Sequence, residues 1–413
     1  MKRDKELSII HELIRQLDSG KNIDAGVGYR NSTDVYTDVA LAEREWEQLF
    51  KDHPQAISLS GSLPKPGSYM TIDDFGVPIL ATRDEDGRFR AFVNACRHRG
   101  ARVAEGRGDS TRFMCPFHHW TYTSGGELAS IPLQDQVGAI DKSCHGLVEL
   151  PAVEKAGLLW VHPKADGAID LEAQLGDLGV EMEHWNFGDY VFMGETEIKG
   201  RLNWKLANDT FGESYHFKRL HRNTLGNVFH GDVLGYEPEG RNHRFVLCSR
   251  NIDEVRQRPE SEWTLPEVST TLYYLFPNIQ LNLGNGSIIL VKIYPDKDAP
   301  NDPSRSVTRV EHYMSHEALR RIDTGEAEAL TAENTYDRDL QQGDFVISFE
   351  AIKEVFDSTI EQEDYLMGMH QQRAAESGQL THLIFGRNEP ALHHYHAQHR
   401  DAMGLPPLEK LDL

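Results

Sequence analysis

The sequence predicts an α+β chain in two parts: a small all-β region, then a larger domain whose antiparallel sheet is flanked by helices. Three observations carry that expectation. From about Ile57 the chain breaks into short β-prone runs, and "SYMTIDDFGVPILATRDEDGRFRAFVNAC" reads as strand, turn, strand, with "EDG" as the hairpin connection. Farther on, "TTLYYLFPNIQLNLGNGSIILVKIYP" holds at least two longer strands and "SVTRVEHYMS" another. Helical patterns surround these strands near residues 203–221, from about 345 to 376, and at the C-terminal end.

Taken in order, "MKRDKELSIIHELIRQLDSG" alternates charge with apolar residues, so it reads as an amphipathic helix and not as the apolar core of a signal peptide. "DVALAEREWEQLFKD" is a second helix by the spacing of its apolar residues. "WTYTSGGELASI" repeats the strand–turn–strand pattern, and the β-rich texture runs to "GLLWVHPKADG". The polar stretch "PKADGAIDLEAQLGD" is the expected linker. The resulting division is a helical segment, 1–45, packing on the last domain, a β module over 46–165, and the larger domain over 166–413.

Asp and Glu outnumber Lys and Arg by 65 to 43, for a net charge of −22. That charge repels nucleic acid and anionic membrane surfaces, so neither is an expected partner. No apolar run approaches the ~20 residues of a membrane span. Four cysteines (Cys96, Cys115, Cys144, Cys248) are too few for a disulfide scaffold, which makes a reducing, cytoplasmic location the expectation.

"CRHRG" and "CPFHHW" supply Cys96-x-His98 and Cys115-x-x-His118 from two neighbouring loop tips. Cys₂His₂ sets commonly bind zinc. Zinc fingers, however, pair like with like, whereas here each loop offers one thiolate and one imidazole. A two-iron cluster uses that arrangement, with both thiolates on one iron and both histidines on the other. The pattern favours the cluster. Cys144 and Cys248 lack such partners and read as ordinary thiols.

"FVNACRHRGARV" followed by "CPFHHWTYTSGGEL" resembles the Rieske [2Fe–2S] domain of the non-heme-iron ring-hydroxylating oxygenases, large-subunit family. His119 departs from that family, which more often has a small residue there, commonly glycine.

"NWKLANDTFGESYHFKRLH" contains Glu213-x-x-His216-x₄-His221. By itself this reads as a helix with two surface histidines, and the two converge on one ion only where the helix ends or distorts. Its position downstream of the cluster motif matches the family's iron motif. Two histidines and one carboxylate leave iron positions open for dioxygen. For the carboxylate, Ile352, Phe356 and Ile360 form an i, i+4 apolar stripe whose next member is Asp364, and a carboxylate at a core position is costly unless paired or metal-bound. "EDYLMGMHQQR" is similar to the family segment whose aspartate binds the iron. Glu361 and Glu363 are the competing acids and are expected to be solvated. The resemblance further implies that Glu213 bridges the neighbouring subunit's Rieske histidine (His118 of another chain) to His216, with Asp209 a weaker candidate for a nearby polar contact. His393, His396 and His399 in "HHYHAQHRD" are expected to be structural.

The resemblance therefore implies a Rieske β module on a catalytic domain with a helix-grip-like antiparallel sheet. It implies the terminal oxygenase of a multicomponent system, taking electrons from NAD(P)H through a reductase, a ferredoxin or both. The chain shows no G-x-G-x-x-G of its own in a βαβ context. The expected reaction uses dioxygen to hydroxylate an aromatic or related small organic substrate, by mono- or dioxygenation. Oxidative N- or O-demethylation is the alternative, and an electron-transfer or ligand-binding protein without oxygenase activity is the reading from another class. Pocket walls are expected around residues 222–285. Arg97, Arg99, Arg102, Arg107 and Arg112 around the cluster loops are candidates for docking an acidic donor or the neighbouring subunit. The expected assembly is a cyclic trimer, with or without a small β subunit.

Overall fold

Short strands joined by tight turns build one unit, Glu45–Leu171 with Asn186–Gly188; long strands build the other, Met1–Arg44, Glu172–Trp185 and the chain from Asp189 onward. The computed structural model describes residues 1–335 and 345–411.

In the small unit a five-stranded antiparallel sheet runs Glu149–Leu150, Phe89–Val93, Ile79–Arg83, Ser68–Ile72, Arg107–Asp109. Two three-stranded sheets complete it, and one of them pairs Arg112–Met114, Thr121–Thr123 and Leu128–Ser130. The alternation of "SYMTI" puts Ser68, Met70 and Ile72 inside, as the period of a half-buried strand requires. Phe92, Phe113, Trp120 and Tyr122 close a core that also contains Cys96 and Cys115.

The large unit is organised by a seven-stranded antiparallel sheet. Its strands are β1 (Tyr190–Gly200), β2 (Phe229–Glu239), β3 (Asn242–Ser249), β4 (Ser269–Leu275), β5 (Ile279–Leu283), β6 (Ser287–Pro295) and β7 (Ser306–Ser315), in the spatial order β1-β7-β6-β5-β4-β3-β2. The central strands are buried along nearly their whole length, so they read as apolar runs. The exception within β6 is Lys292, whose ammonium is 2.8 Å from Glu311 of β7, both fully enclosed. A buried charge persists only when paired in this way.

Helix α1 (Arg3–Ser19) packs Ile10 and Leu13 against Val233, Val246, Ile252 and Leu265. Each such burial contributes about 2 kcal/mol. Its buried Gln16 both donates to the Leu234 carbonyl and accepts from the Leu234 N–H, satisfying an edge of β2 that would otherwise be open. Helices α2 (Trp204–Asp209), α3 (Phe349–Thr359), α4 (Tyr365–Glu376) and α5 (Pro390–Ala402) belong to the same unit. The α3–α4 pair is tied to β7 by His312–Asp357 (3.2 Å) and Thr308–Tyr365 (2.6 Å).

Three expectations change. The helix expected over 203–221 ends at Asp209 and continues as a series of turns. The pattern from 345 begins as a strand (Phe345–Ile347), and the helix that follows is interrupted by a π-helical turn at Ile360–Asp364. The expected linker runs into a helical segment, Leu171–Glu183, kinked at Gly176, in which Leu171, Leu175, Leu178 and Met182 are buried beneath a polar composition. Among the described residues, no helix is long and apolar enough to cross a membrane.

Candidate metal centres

Two similarly built loops present the first set of donors. In one, the Cys96 N–H donates to the Ala101 carbonyl and the Gly100 N–H to the Cys96 carbonyl, each at 2.8 Å. In the other, the Cys115 N–H donates to Trp120 and the His119 N–H to Cys115, each at 2.9 Å. These turns bury both thiols and leave both imidazoles exposed, with His98 Nδ1 and His118 Nδ1 3.1 Å apart. His98 lies flat on Trp120, ring centres 5.0 Å apart. The Tyr122 hydroxyl, 3.3 Å from Cys96 Sγ, also accepts the Arg97 N–H at 2.9 Å. Burial pushes the Cys96 thiol up, and the neighbouring Cys115 adds to the rise. Desolvation, then the neighbouring His98 and Arg99, push the His118 imidazole down, toward the neutral form that ligates.

Geometry separates the zinc reading from the cluster. Four ligands of one tetrahedral ion lie roughly 3.5 Å apart. Among the described residues, though, the only trio of His, Cys, Asp or Glu donors gathered within 4.8 Å is elsewhere, at His216, His221 and Asp364. Two buried thiols beneath two exposed imidazoles suit a pair of irons, sulfur-ligated inside and nitrogen-ligated outside. His119 adopts φ = 60°, the left-handed region in which glycine is free and histidine tolerated. That conformation explains the small residue more usual at this position. Arg102 is held by Asp73 at 2.9 Å, while Arg97, Arg99 and Arg112 remain exposed.

The second set depends on the end of α2. Past Asp209, turns replace the helix, so His216 and His221 swing to one point instead of lying on opposite sides of a cylinder. His216 Nε2 and His221 Nε2 are 3.1 Å apart, and Asp364 Oδ1 is 3.4 Å from the first and 3.1 Å from the second. Bonds of about 2.1 Å at right angles would put ligand atoms about 3.0 Å apart, so this triangle fits one face of an octahedral ion. Each imidazole is held from behind by a carboxylate. Glu213 Oε1 bonds His216 Nδ1, and Glu363 Oε2 lies 2.7 Å from His221 Nδ1. Burial opposes charge on His216, but Asp364 and Glu213 outweigh it and push the imidazole up to about 10; burial likewise opposes ionisation of Asp364, and its two histidine partners pull it below the usual range.

The expectation that Glu363 is solvated is therefore corrected, because the π-helical turn brings it to His221; Glu361 is exposed. Asp209 bonds His396 at 2.8 Å and Tyr36 at 3.0 Å, in a buried network. His396 and His399 are fully buried and His393 nearly so.

A small cavity of about 70 Å³ is lined by all three donors together with Phe356 and Ile360 of the predicted stripe. It shares Leu225, Leu247, Leu272, Asn282 and Phe356 with a larger cavity of about 590 Å³, which extends to the exposed Glu254 and Arg258. Residues 345–356 contribute to this wall as well as the expected 222–285 region.

Residues 187–405, more than half of the chain, match the family described as the ring-hydroxylating alpha subunit catalytic domain, and residues 53–147 match the Rieske [2Fe-2S] domain. The chain is 32% identical over 191 residues to the biphenyl 2,3-dioxygenase alpha subunit of Rhodococcus jostii, covering 44% of this chain and 41% of the relative. It is 28% identical over 198 residues to the glycine betaine monooxygenase oxygenase subunit of Chromohalobacter salexigens, covering 48% and 44%. The chain thus spans less than half the length of these curated relatives. The fold resembles a quaternary ammonium Rieske monooxygenase solved with L-carnitine (TM-score 0.70, 20% identity, 92% and 96% of the two chains). It also resembles naphthalene 1,2-dioxygenase from Rhodococcus sp. solved with indole (TM-score 0.68, 18% identity, 98% and 99%).

Proposed function

Because the chain belongs to the ring-hydroxylating alpha subunit family and carries its Rieske domain, we propose that it is the terminal oxygenase of a Rieske non-heme iron system. His216, His221 and Asp364 hold a mononuclear iron, and Cys96, His98, Cys115 and His118 hold a [2Fe–2S] cluster, in the domain division 1–45, 46–165 and 166–413. The observation that carries this reading is the triangle of 3.1, 3.1 and 3.4 Å between three donor atoms at the inner end of a cavity. When bound, the two groups supply electron storage and the reductive activation of dioxygen.

The chain's own residues do the rest. Glu213 and Glu363 fix the two imidazoles with Nε2 directed inward, and orientation of this kind raises ligand basicity. Leu225, Leu247, Leu272 and Phe356 keep the reacting end of the cavity apolar and exclude water. That lining favours hydroxylation of an aromatic or similarly flat apolar substrate. Electrons come from NAD(P)H through a separate reductase or ferredoxin, with exposed Arg97, Arg99 and Arg112 offering a docking surface. In a cytoplasmic trimer, with or without a small β subunit, Glu213 would also meet the neighbouring chain's His118.

Metal and acid-labile sulfide content, measured on protein purified without oxygen, tests the proposal. About three irons and two sulfides per chain are expected, and His216→Ala should lose one iron while the cluster absorption persists. Two irons and two sulfides, with no third iron taken up from added Fe(II), would refute the mononuclear site.

A further inference from the structure

Strand β5, "IQLNL", is buried at all five positions although two of them are amides. Alternation sends Ile279, Leu281 and Leu283 to one face and Gln280 and Asn282 to the other. Gln280 finds a partner, donating from Nε2 to Asn208 Oδ1 at 2.9 Å. Asn282 does not: it is 6% exposed, and among the described residues its Nδ2 has no hydrogen-bond partner. The register sets Asn282 beside Leu272 of β4 and Ile289 of β6, and all three line the larger cavity. Asn282 and Leu272 also line the small cavity with His216, His221 and Asp364.

A buried amide donor is unfavourable unless something meets it. From its place on the wall common to both cavities we propose that Asn282 determines specificity, donating to a neutral acceptor oxygen on the ring to be oxidised. The substrate class is then an aromatic molecule bearing a carbonyl, amide, ester or nitro group. This rests on the reading of His216, His221 and Asp364 as the iron site. A carboxylate is disfavoured because the one arginine lining the cavity among the described residues, Arg258, is already engaged by Glu267 at 2.6 Å. The hydrocarbon part of the ligand lies against Leu225, Leu247, Leu272 and Phe356, which offer no competing hydrogen bond from their side chains.

The test compares acetophenone with α-methylstyrene, its planar isostere in which a methylene replaces the carbonyl oxygen. Binding of both is measured by calorimetry to oxygen-free holoprotein, for wild type and for Asn282→Leu. Differences in hydrophobicity between the two compounds cancel when the Kd ratios of the two proteins are compared. The wild-type preference for acetophenone should exceed that of the variant by about three- to tenfold, the worth of one neutral hydrogen bond. Asn282→Ala, which removes the donor without adding bulk, should also lose the preference, and it decides the question where the leucine variant does not fold. Equal ratios in wild type and variant, or a wild type that binds neither compound, overturn the proposal. Iron content of the same samples reports on the oxygenase reading separately: a chain lacking the third iron fails that reading, while the binding ratio still tests Asn282.

Discussion

Replacing Glu363 should weaken the mononuclear iron site although Glu363 touches no metal. Its Oε2 lies 2.7 Å from Nδ1 of His221, a ring only 1% exposed, so removing the carboxylate takes away the protein acceptor that holds the ring. The buried N–H would be left unpaired and the ring free to turn. A hydrogen bond to a charged acceptor contributes about 1.5–3 kcal/mol, or roughly ten- to a hundredfold in affinity. Glu363 is itself 28% exposed, which screens its charge and places the expectation for Glu363→Ala nearer tenfold than a hundredfold. Glu363→Gln keeps an acceptor oxygen and loses only the charge, so about threefold is expected. Fe(II) affinity is read by competition with a colorimetric chelator under anaerobic conditions, with cluster absorption as the internal control for folding. An Fe(II) affinity for Glu363→Ala within twofold of wild type, at full cluster absorption, would show that the 2.7 Å contact does not support the metal.

Two further outcomes follow from the protonation states. In the metal-free chain His216 titrates at about 10, so below that pH iron must displace its proton; the Fe(II) dissociation constant should fall about tenfold per unit of rising pH between 6 and 8, and a pH-independent constant would contradict the arrangement. His243 is held well below the ordinary histidine value of about 6.5 by burial, with a smaller contribution from His394. The unfolded chain therefore binds the proton first as pH falls, so stability present above about 6.5 is lost below it. The thermal midpoint of His243→Phe should fall less steeply from pH 6.5 to 5 than that of wild type, and parallel slopes would exclude His243 as a source.

How much of this was legible depended on whether the signal was local. Cys96, His98, Cys115 and His118 sit in two loops whose spacing alone separates thiolate–imidazole pairs from a zinc finger. The family resemblance covered the same residues that the matches to the Rieske and catalytic domains later covered. Asp364 was legible because it interrupts a helical stripe, and Ile352, Phe356 and Ile360 do line the cavities leading to it. The strands β1, β2 and β3 gave no clear signal. Two of them, β1 and β2, are the edges of the sheet, and "YVFMGETEIKG" and "FHGDVLGYEPE" carry the glycine, proline and charge with which edges avoid further pairing.

The polar side chains that the sequence reading missed share a physical reason. Glu363 and Asp364 are adjacent, and in a regular α-helix neighbours diverge by about 100°, so assigning one to the core sends the other away from it. The π-helical turn at Ile360–Asp364 breaks that rule, and Glu363 reaches His221, 142 residues away in sequence. Asn282 is missed for the complementary reason. Its strand is buried on both faces, so alternation carries no inside and outside to read, and only the register with Leu272 and Ile289 shows which face meets the cavity. In both cases the residue is chemically conspicuous and its position is not. The family could therefore be read from motifs, whereas the groups proposed to tune the metal and select the substrate required the fold.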